Sequence, residues 1–152
     1  LRQTTNQEEL RLLEDRIEEQ WLDSGDKYIN ELMDKGLDFT SQKDYKEALE
    51  VFSRVVEDNP AYPDGWSKRA TIYYMLGFYK KALQDIRMAL SLEARHFETL
   101  SVLVCIFLEI GAPYAALRVM KKQALLNPHC KCLQSRIYQL ANQLNNGSSC
   151  GE

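Results

Sequence analysis

Two histidines, His96 and His129, are the side chains whose ordinary pKa lets them exchange protons near neutral pH. Neither lies at a recognisable spacing from a serine or cysteine nucleophile and an orienting carboxylate. The sequence also lacks the GxGxxG, GxxxxGKS/T, HExxH and GxSxG motifs. We therefore interpret both histidines as loop or capping residues and predict that the chain is not an enzyme.

Sulfur and imidazole ligands cluster once, between His129 and Cys132. This segment supplies three soft ligands, whereas a structural zinc ion takes four. Of the remaining cysteines, Cys105 and Cys150, only the second is placed to complete such a set. The spacing does not suit a disulfide framework either. We predict free thiols, no metal site and no cofactor, in a reducing compartment.

The composition is that of an ordinary globular protein, with 45% hydrophobic and 27% charged residues. A bilayer-spanning helix needs about 18 consecutive apolar residues, and the sequence has no such run. No block of five or more basic residues interleaves with aromatics, which argues against nucleic-acid binding. We expect an intracellular protein, in the cytoplasm or, if a targeting peptide precedes Leu1, in an organelle.

Large and small residues alternate at helical spacing between residues 66 and 94, on both sides of a turn at Gly77, and the same pattern occurs 34 residues earlier and later. The central unit contains Trp66, Ala70, Tyr73, Tyr79, Ala82, Ile86 and Ala89. The earlier unit contains Leu32, Gly36, Phe39, Tyr45, Ala48, Phe52, Val55 and Pro60, and the later one Leu100, Val104, Phe107, Gly111, Ala116, Met120, Ala124 and Pro128. A fixed period of this length predicts stacked helix hairpins, each covering the apolar face of the next.

These residues resemble the tetratricopeptide repeat (TPR), whose pattern is W-x2-LG-x2-Y, then A, F and A, then P. The departures are mild: Leu32 and Leu100 replace the Trp, Val104 replaces a small residue, Pro113 replaces a Tyr and Ala94 replaces the closing Pro. The resemblance implies an all-α fold, a right-handed α-solenoid of antiparallel helix hairpins.

We expect residues 1–152 to form a single domain with six parts. These are an N-terminal helix over residues 6–22, repeats over 29–62, 63–96 and 97–130, a capping helix over 131–144 and a loose tail over 145–152. The N-terminal helix carries an apolar stripe at Leu10, Leu13, Ile17 and Trp21. It either covers the outer side of repeat 1 or lies in the concave groove, and the sequence leaves both open.

In such solenoids the first helix of each pair lines the concave side that binds partners. Helical spacing places these residues there: Asn30, Met33, Asp34, Leu37, Ser41, Asp64, Ser67, Lys68, Thr71, Tyr74, Met75, Glu98, Ser101, Val102, Cys105 and Glu109. The centre of this set is apolar to weakly polar, which suits an apolar helix or an extended segment of a protein partner. The alternative is that the chain's own terminal helices cover Met33, Leu37 and Val102.

TPR domains that bind the C-terminal tails of heat-shock proteins hold the carboxylates with Lys, Asn and Arg side chains on these first helices. The matching positions here are Met33, Leu37, Lys68, Glu98 and Val102. A carboxylate needs convergent donors, so this clamp is missing. We predict a non-catalytic scaffold or adaptor module that binds a protein segment without it.

Two other functions remain alternatives. One is a co-chaperone-type adaptor. The other is a structural protein that self-associates as a homo-oligomer, because residues 1–60 carry 16 acidic and 8 basic residues whereas residues 61–152 carry 6 acidic and 11 basic ones.

Overall fold

The structure, a computed structural model, describes residues 23–147, which form seven α-helices and no strand. The predicted helix over 6–22 lies outside the described residues, as do residues 148–152. The helices are α1 (Lys27–Ser41), α2 (Tyr45–Asp58), α3 (Pro63–Met75), α4 (Tyr79–Leu92), α5 (Phe97–Glu109), α6 (Pro113–Leu126) and α7 (Lys131–Gly147). Helix α7 continues three residues beyond the predicted end at residue 144, so residues 145–147 of the predicted loose tail are helical.

Consecutive helices pack as pairs, α1 with α2, α3 with α4 and α5 with α6, and α7 packs on α6. The predicted all-α solenoid is therefore confirmed. Helix α3 also contacts α5 directly, which places the first helices of repeats 2 and 3 side by side. The buried Leu133 of α7 joins a core cluster with Val104, Ala116 and Met120, so α7 covers the apolar end of the third pair.

Helix starts follow from local chemistry. The Asp26 carboxylate accepts hydrogen bonds from the backbone N–H groups of α1's first turn, and the Asp44 carboxylate accepts one in α2. Pro63 and Pro113 are the first residues of α3 and α6, where the missing N–H costs no helical hydrogen bond.

The turn inside each helix pair requires a left-handed backbone residue. Gly77 and Gly111 have φ of +79° and +75°, which confirms the prediction for both. The equivalent residue of the first pair, 34 positions before Gly77, is Lys43, with φ of +61°. A residue with a Cβ atom therefore holds a conformation that glycine takes without strain.

The core of each pair matches a residue on the first helix with a larger one on the second. A Cβ atom added to Gly36 would lie 2.5 Å from Phe52 Cε1, so the glycine makes room for the ring. The other two pairs carry a larger residue than glycine on the first helix and a non-aromatic one on the second. In chain order the matched positions are Gly36 with Phe52, Ala70 with Ile86, and Val104 with Met120.

One expectation from the repeat pattern is wrong by one residue. Gln123, and not Ala124, occupies the position 34 residues after Ala89, and its side chain is buried. The amide Nε2 donates to Phe97 O at 3.2 Å and to Ser101 Oγ at 2.9 Å. Burial is tolerated because the amide has these partners, although the repeat pattern favours a small residue, which the neighbouring Ala124 would supply.

The residues equivalent to the TPR tryptophan differ in exposure. Leu32 and Leu100 are buried, whereas Trp66 is partly exposed. The Trp66 indole Nε1 donates to the Pro60 carbonyl at 2.8 Å. This bond ties α3 to the end of repeat 1, so the indole satisfies its polar atom at the boundary between two repeats.

Candidate protein-binding groove

The predicted groove residues fall on α1, α3 and α5, and the structure divides them into two groups by exposure. Four are buried in packing between helices: Met33, Asp64, Ser67 and Val102. The others keep some accessible surface: Asn30, Asp34, Leu37, Ser41, Lys68, Thr71, Tyr74, Met75, Glu98, Ser101, Cys105 and Glu109. We call this second group the groove surface.

Burial has an identifiable cause in the apolar cases. Met33 belongs to the core cluster that contains Phe52 and Ile72, and Val102 belongs to the cluster that contains Ala70 and Ile106. Helical spacing alone could not separate these positions from the groove surface, because neighbouring repeats supply the covering side chains.

Asp64 is buried because it links repeats 2 and 3. Its Oδ1 lies 3.0 Å from His96 Nε2, and His96 Nδ1 accepts the backbone N–H of Thr99 at 3.3 Å. Because Nδ1 is the acceptor, the neutral imidazole carries its proton on Nε2 and donates it to Asp64. His96 is thus the N-cap of α5, as the capping interpretation predicted. The sequence signal for the link is weak, because the two residues are 32 positions apart.

The amino-terminal half of the groove surface contains an ion pair between α3 and α5. Lys68 Nζ lies 2.8 Å and 2.7 Å from the two carboxylate oxygens of Glu98. The Lys68 side chain is 16% exposed and that of Glu98 is 44% exposed. The Lys68 ammonium is therefore paired with the Glu98 carboxylate, and this pairing balances its charge within the groove.

The carboxyl-terminal half is aromatic and thiol-lined. Tyr74 stacks on Tyr79 with ring centroids 6.0 Å apart and planes at 30°. Burial raises the pKa of Tyr74, and Cys105 and Glu109 on α5 raise it further. Met75, at the end of α3, is 51% exposed. This half therefore presents apolar and polarisable surface.

Carboxylates gather where repeat 1 meets repeat 2. The pKa of the buried Tyr62 phenol is raised, mainly by burial and then by the charges of Asp64, Asp23 and Asp34. The pKa of Asp23 is lowered, because its Oδ1 accepts from Asn30 Nδ2 at 2.8 Å and from a backbone N–H. The Tyr62 shift thus combines burial with nearby negative charge, whereas the Asp23 shift comes from the hydrogen bonds that its carboxylate accepts.

The sequence model of the TPR repeat family matches residues 36–77. A TPR repeat-containing protein of Rhizobium etli is 30% identical over 125 residues, which cover 82% of this chain and 61% of that protein. With seven helices arranged as three hairpins and a cap, these matches agree on the repeat type. The chain contains tetratricopeptide repeats.

Solved TPR domains share the fold. The TPR domain of Sgt2 from Aspergillus fumigatus superposes with a TM-score of 0.73 at 17% identity, covering 84% of this chain and 85% of that domain. The first TPR of Spaghetti (RPAP3), solved bound to an HSP90 peptide, gives a TM-score of 0.70 at 19% identity, covering 77% and 93%. At these identities the likeness concerns the fold. The chain spans less than two thirds of the Rhizobium relative's length.

Two further properties of this TPR domain concern residues 23–147 only. No group of three His, Cys, Asp or Glu side chains in that range is placed to hold a metal ion, and Cys105, Cys130 and Cys132 are free thiols. No helix in the same range has the length and apolarity needed to cross a membrane.

Proposed function

We propose that this TPR domain is a non-catalytic interaction module that binds an apolar helical or extended segment of a partner protein on its groove surface. The supporting observation is the accessible apolar and weakly polar side chains on the three first helices. They are Leu37 on α1, Thr71, Tyr74 and Met75 on α3, and Cys105 on α5. Partly exposed Met, Tyr and Leu side chains bind apolar segments because they desolvate at low cost and adapt their shape.

The proposal includes recognition without a carboxylate clamp. Met33 and Val102, at two of the five clamp positions, are buried in the core, and Leu37 packs partly against it. Lys68, at a fourth position, is paired with Glu98, which occupies the fifth. An incoming carboxylate would have to displace Glu98 and would meet no second donor among these five residues.

The test uses two methionines of similar exposure on different helices. Met75 is 51% exposed on the groove surface, and Met88 is 40% exposed on α4, a second helix outside the groove. Peptides are selected from a displayed random library on the full chain, and their dissociation constants are measured by fluorescence anisotropy. We expect Met75→Glu to weaken binding roughly tenfold or more, because a charge replaces desolvated apolar surface.

Met88→Glu should leave the dissociation constants within about twofold, since it makes the same change outside the groove. Equal loss in both variants, or no loss in Met75→Glu, would remove the assignment to this face. Circular dichroism verifies that both variants keep the wild-type helicity.

A co-chaperone adaptor is the second candidate, because the first TPR of RPAP3 shares the fold and was solved with an HSP90 peptide. The probe is that peptide, SRMEEVD, labelled at its N-terminus. We expect no saturable binding, because Glu98 repels the acidic tail and neutralises Lys68. Saturable binding that is lost in Lys68→Ala would establish the adaptor function instead.

A further inference from the structure

We infer that the partner segment of the groove carries Lys or Arg side chains beside its apolar residues. This inference rests on the proposed function and specifies the partner's chemistry. It follows from the charges that remain on the groove surface after internal pairing.

The first step concerns the cation. Lys68 is the only basic residue of the groove surface, and both oxygens of Glu98 lie within 2.8 Å of its ammonium. The Lys68 side chain is mostly buried, so little of its charge reaches the groove. The groove surface therefore has no uncompensated positive charge with which to attract an acidic ligand.

The second step concerns the anions. Asp34 on α1 and Glu109 on α5 are exposed, and neither forms an ion pair within residues 23–147. Asp34 precedes Leu37 by three residues on α1, and Glu109 follows Cys105 by four residues on α5, so helical spacing places each carboxylate one turn from an apolar groove residue. The negative charges thus lie beside the apolar strip, which we define as Leu37, Thr71, Tyr74, Met75 and Cys105.

Charge complementarity then selects the occupant. A segment with apolar residues for the strip and basic residues near its ends would meet both carboxylates, and each exposed pair strengthens binding modestly at low salt. The chain's own residues 6–22 are a poor match, because they carry six acidic and two basic residues. The same-sign charges would repel, which favours a separate partner.

The experiment selects peptides from a displayed library of random 12-residue segments on the full chain, with binding and washing at low salt. The readout is the mean net charge of groove-dependent peptides, defined as those that fail to bind Met75→Gln, which removes the apolar contact without adding a charge. We expect enrichment of Lys and Arg with apolar residues, and binding that weakens at least roughly threefold between 50 and 300 mM salt.

Charge reversal supplies the matched comparison. Asp34→Lys with Glu109→Lys should weaken the enriched peptides roughly tenfold and shift a new selection toward acidic peptides. Glu50→Lys with Asp58→Lys makes the same change in net charge at exposed sites on α2 and should alter neither. This control separates local complementarity from the effect of total charge.

The outcomes separate the two claims. Groove-dependent peptides that are neutral or acidic would overturn the basic partner and leave the groove function intact. A selection that yields no groove-dependent peptide would overturn the proposed function itself, and the inference with it.

Discussion

Repeats 1 and 2 have the same two-helix geometry, yet three equivalent sets of positions hold different chemistry. The sets, with repeat 1 first, are Lys35 and Val51 against Arg69 and Asp85, Gly36 and Phe52 against Ala70 and Ile86, and Lys43 against Gly77. The difference shows that the repeat specifies combined volumes, a backbone conformation and satisfied polar atoms, and leaves open which residues meet these demands. Each set can be tested by moving residues of one repeat into the other.

The polar set differs most. Arg69 donates to both oxygens of Asp85 at 2.7 Å and 2.8 Å, and its guanidinium lies over the rings of Trp66 and Tyr73. The hydrogen bonds to Asp85 are the main cause of the raised pKa of Arg69. In repeat 1 the equivalent Lys35 is exposed, with its ammonium over the Phe39 ring. Repeat 2 thus has an enclosed ion pair where repeat 1 has a cation at the surface.

The largest expected effect comes from breaking this pair. Asp85→Val introduces the repeat 1 residue and leaves the guanidinium without its carboxylate, in a site where the Arg69 side chain is 17% exposed. We expect a loss of about 3 kcal/mol in the free energy of unfolding, since one member of a buried pair remains uncompensated. Urea denaturation followed by circular dichroism measures it.

Exchanging both residues should restore most of the lost free energy of unfolding. Arg69→Lys with Asp85→Val reproduces the repeat 1 pair, and the flexible lysine can extend its ammonium to solvent. We expect the double variant to lie within about 1 kcal/mol of the wild type. If the double variant is as unstable as Asp85→Val alone, repeat 2 does not accept the residue pair of repeat 1 at these two positions.

The next effect concerns volume. Gly36→Ala places a methyl group 2.5 Å from Phe52, so either the ring or α1 must shift. We expect a loss of about 1–3 kcal/mol by overpacking, although alanine is the better helix former. Phe52→Ile added to Gly36→Ala recreates the Ala70 and Ile86 pair of repeat 2 and should recover part of the stability. Thermal denaturation compares the variants, and a stabilising Gly36→Ala would contradict the close packing.

The sequence predicts the helix pairs because their determinants are local and periodic. The small and large residues recur every 34 positions, Asp44 and Pro63 mark helix starts, and Gly77 and Gly111 mark turns. The expectation of a small residue fails at Gln123, because periodicity cannot reveal that a polar amide finds partners on α5. Such contacts depend on side chains from another helix.

The groove is less predictable than the fold, because it too depends on contacts with side chains from other helices. Helical spacing gives the correct helices, yet Met33, Asp64, Ser67 and Val102 are buried by contacts between repeats. The pairing of Lys68 with Glu98 joins residues 30 positions apart, which no local pattern indicates. The two placements predicted for residues 6–22, on the outer side of repeat 1 or in the groove, concern residues outside the described range.

The smallest effect concerns the turn of repeat 1. Lys43 is exposed and holds a left-handed backbone with φ of +61°, where Gly77 and Gly111 serve repeats 2 and 3. Lys43→Gly should stabilise the domain by about 1 kcal/mol, because removing Cβ relieves a strain of about 1–2 kcal/mol and part of that gain is offset by the greater freedom of glycine in the unfolded chain. Lys43→Ala is the control, since it removes the same charge and keeps the Cβ atom. Urea midpoints should rise for glycine and stay near the wild type for alanine, and an equal rise in both would assign the effect to the lysine charge rather than to the backbone.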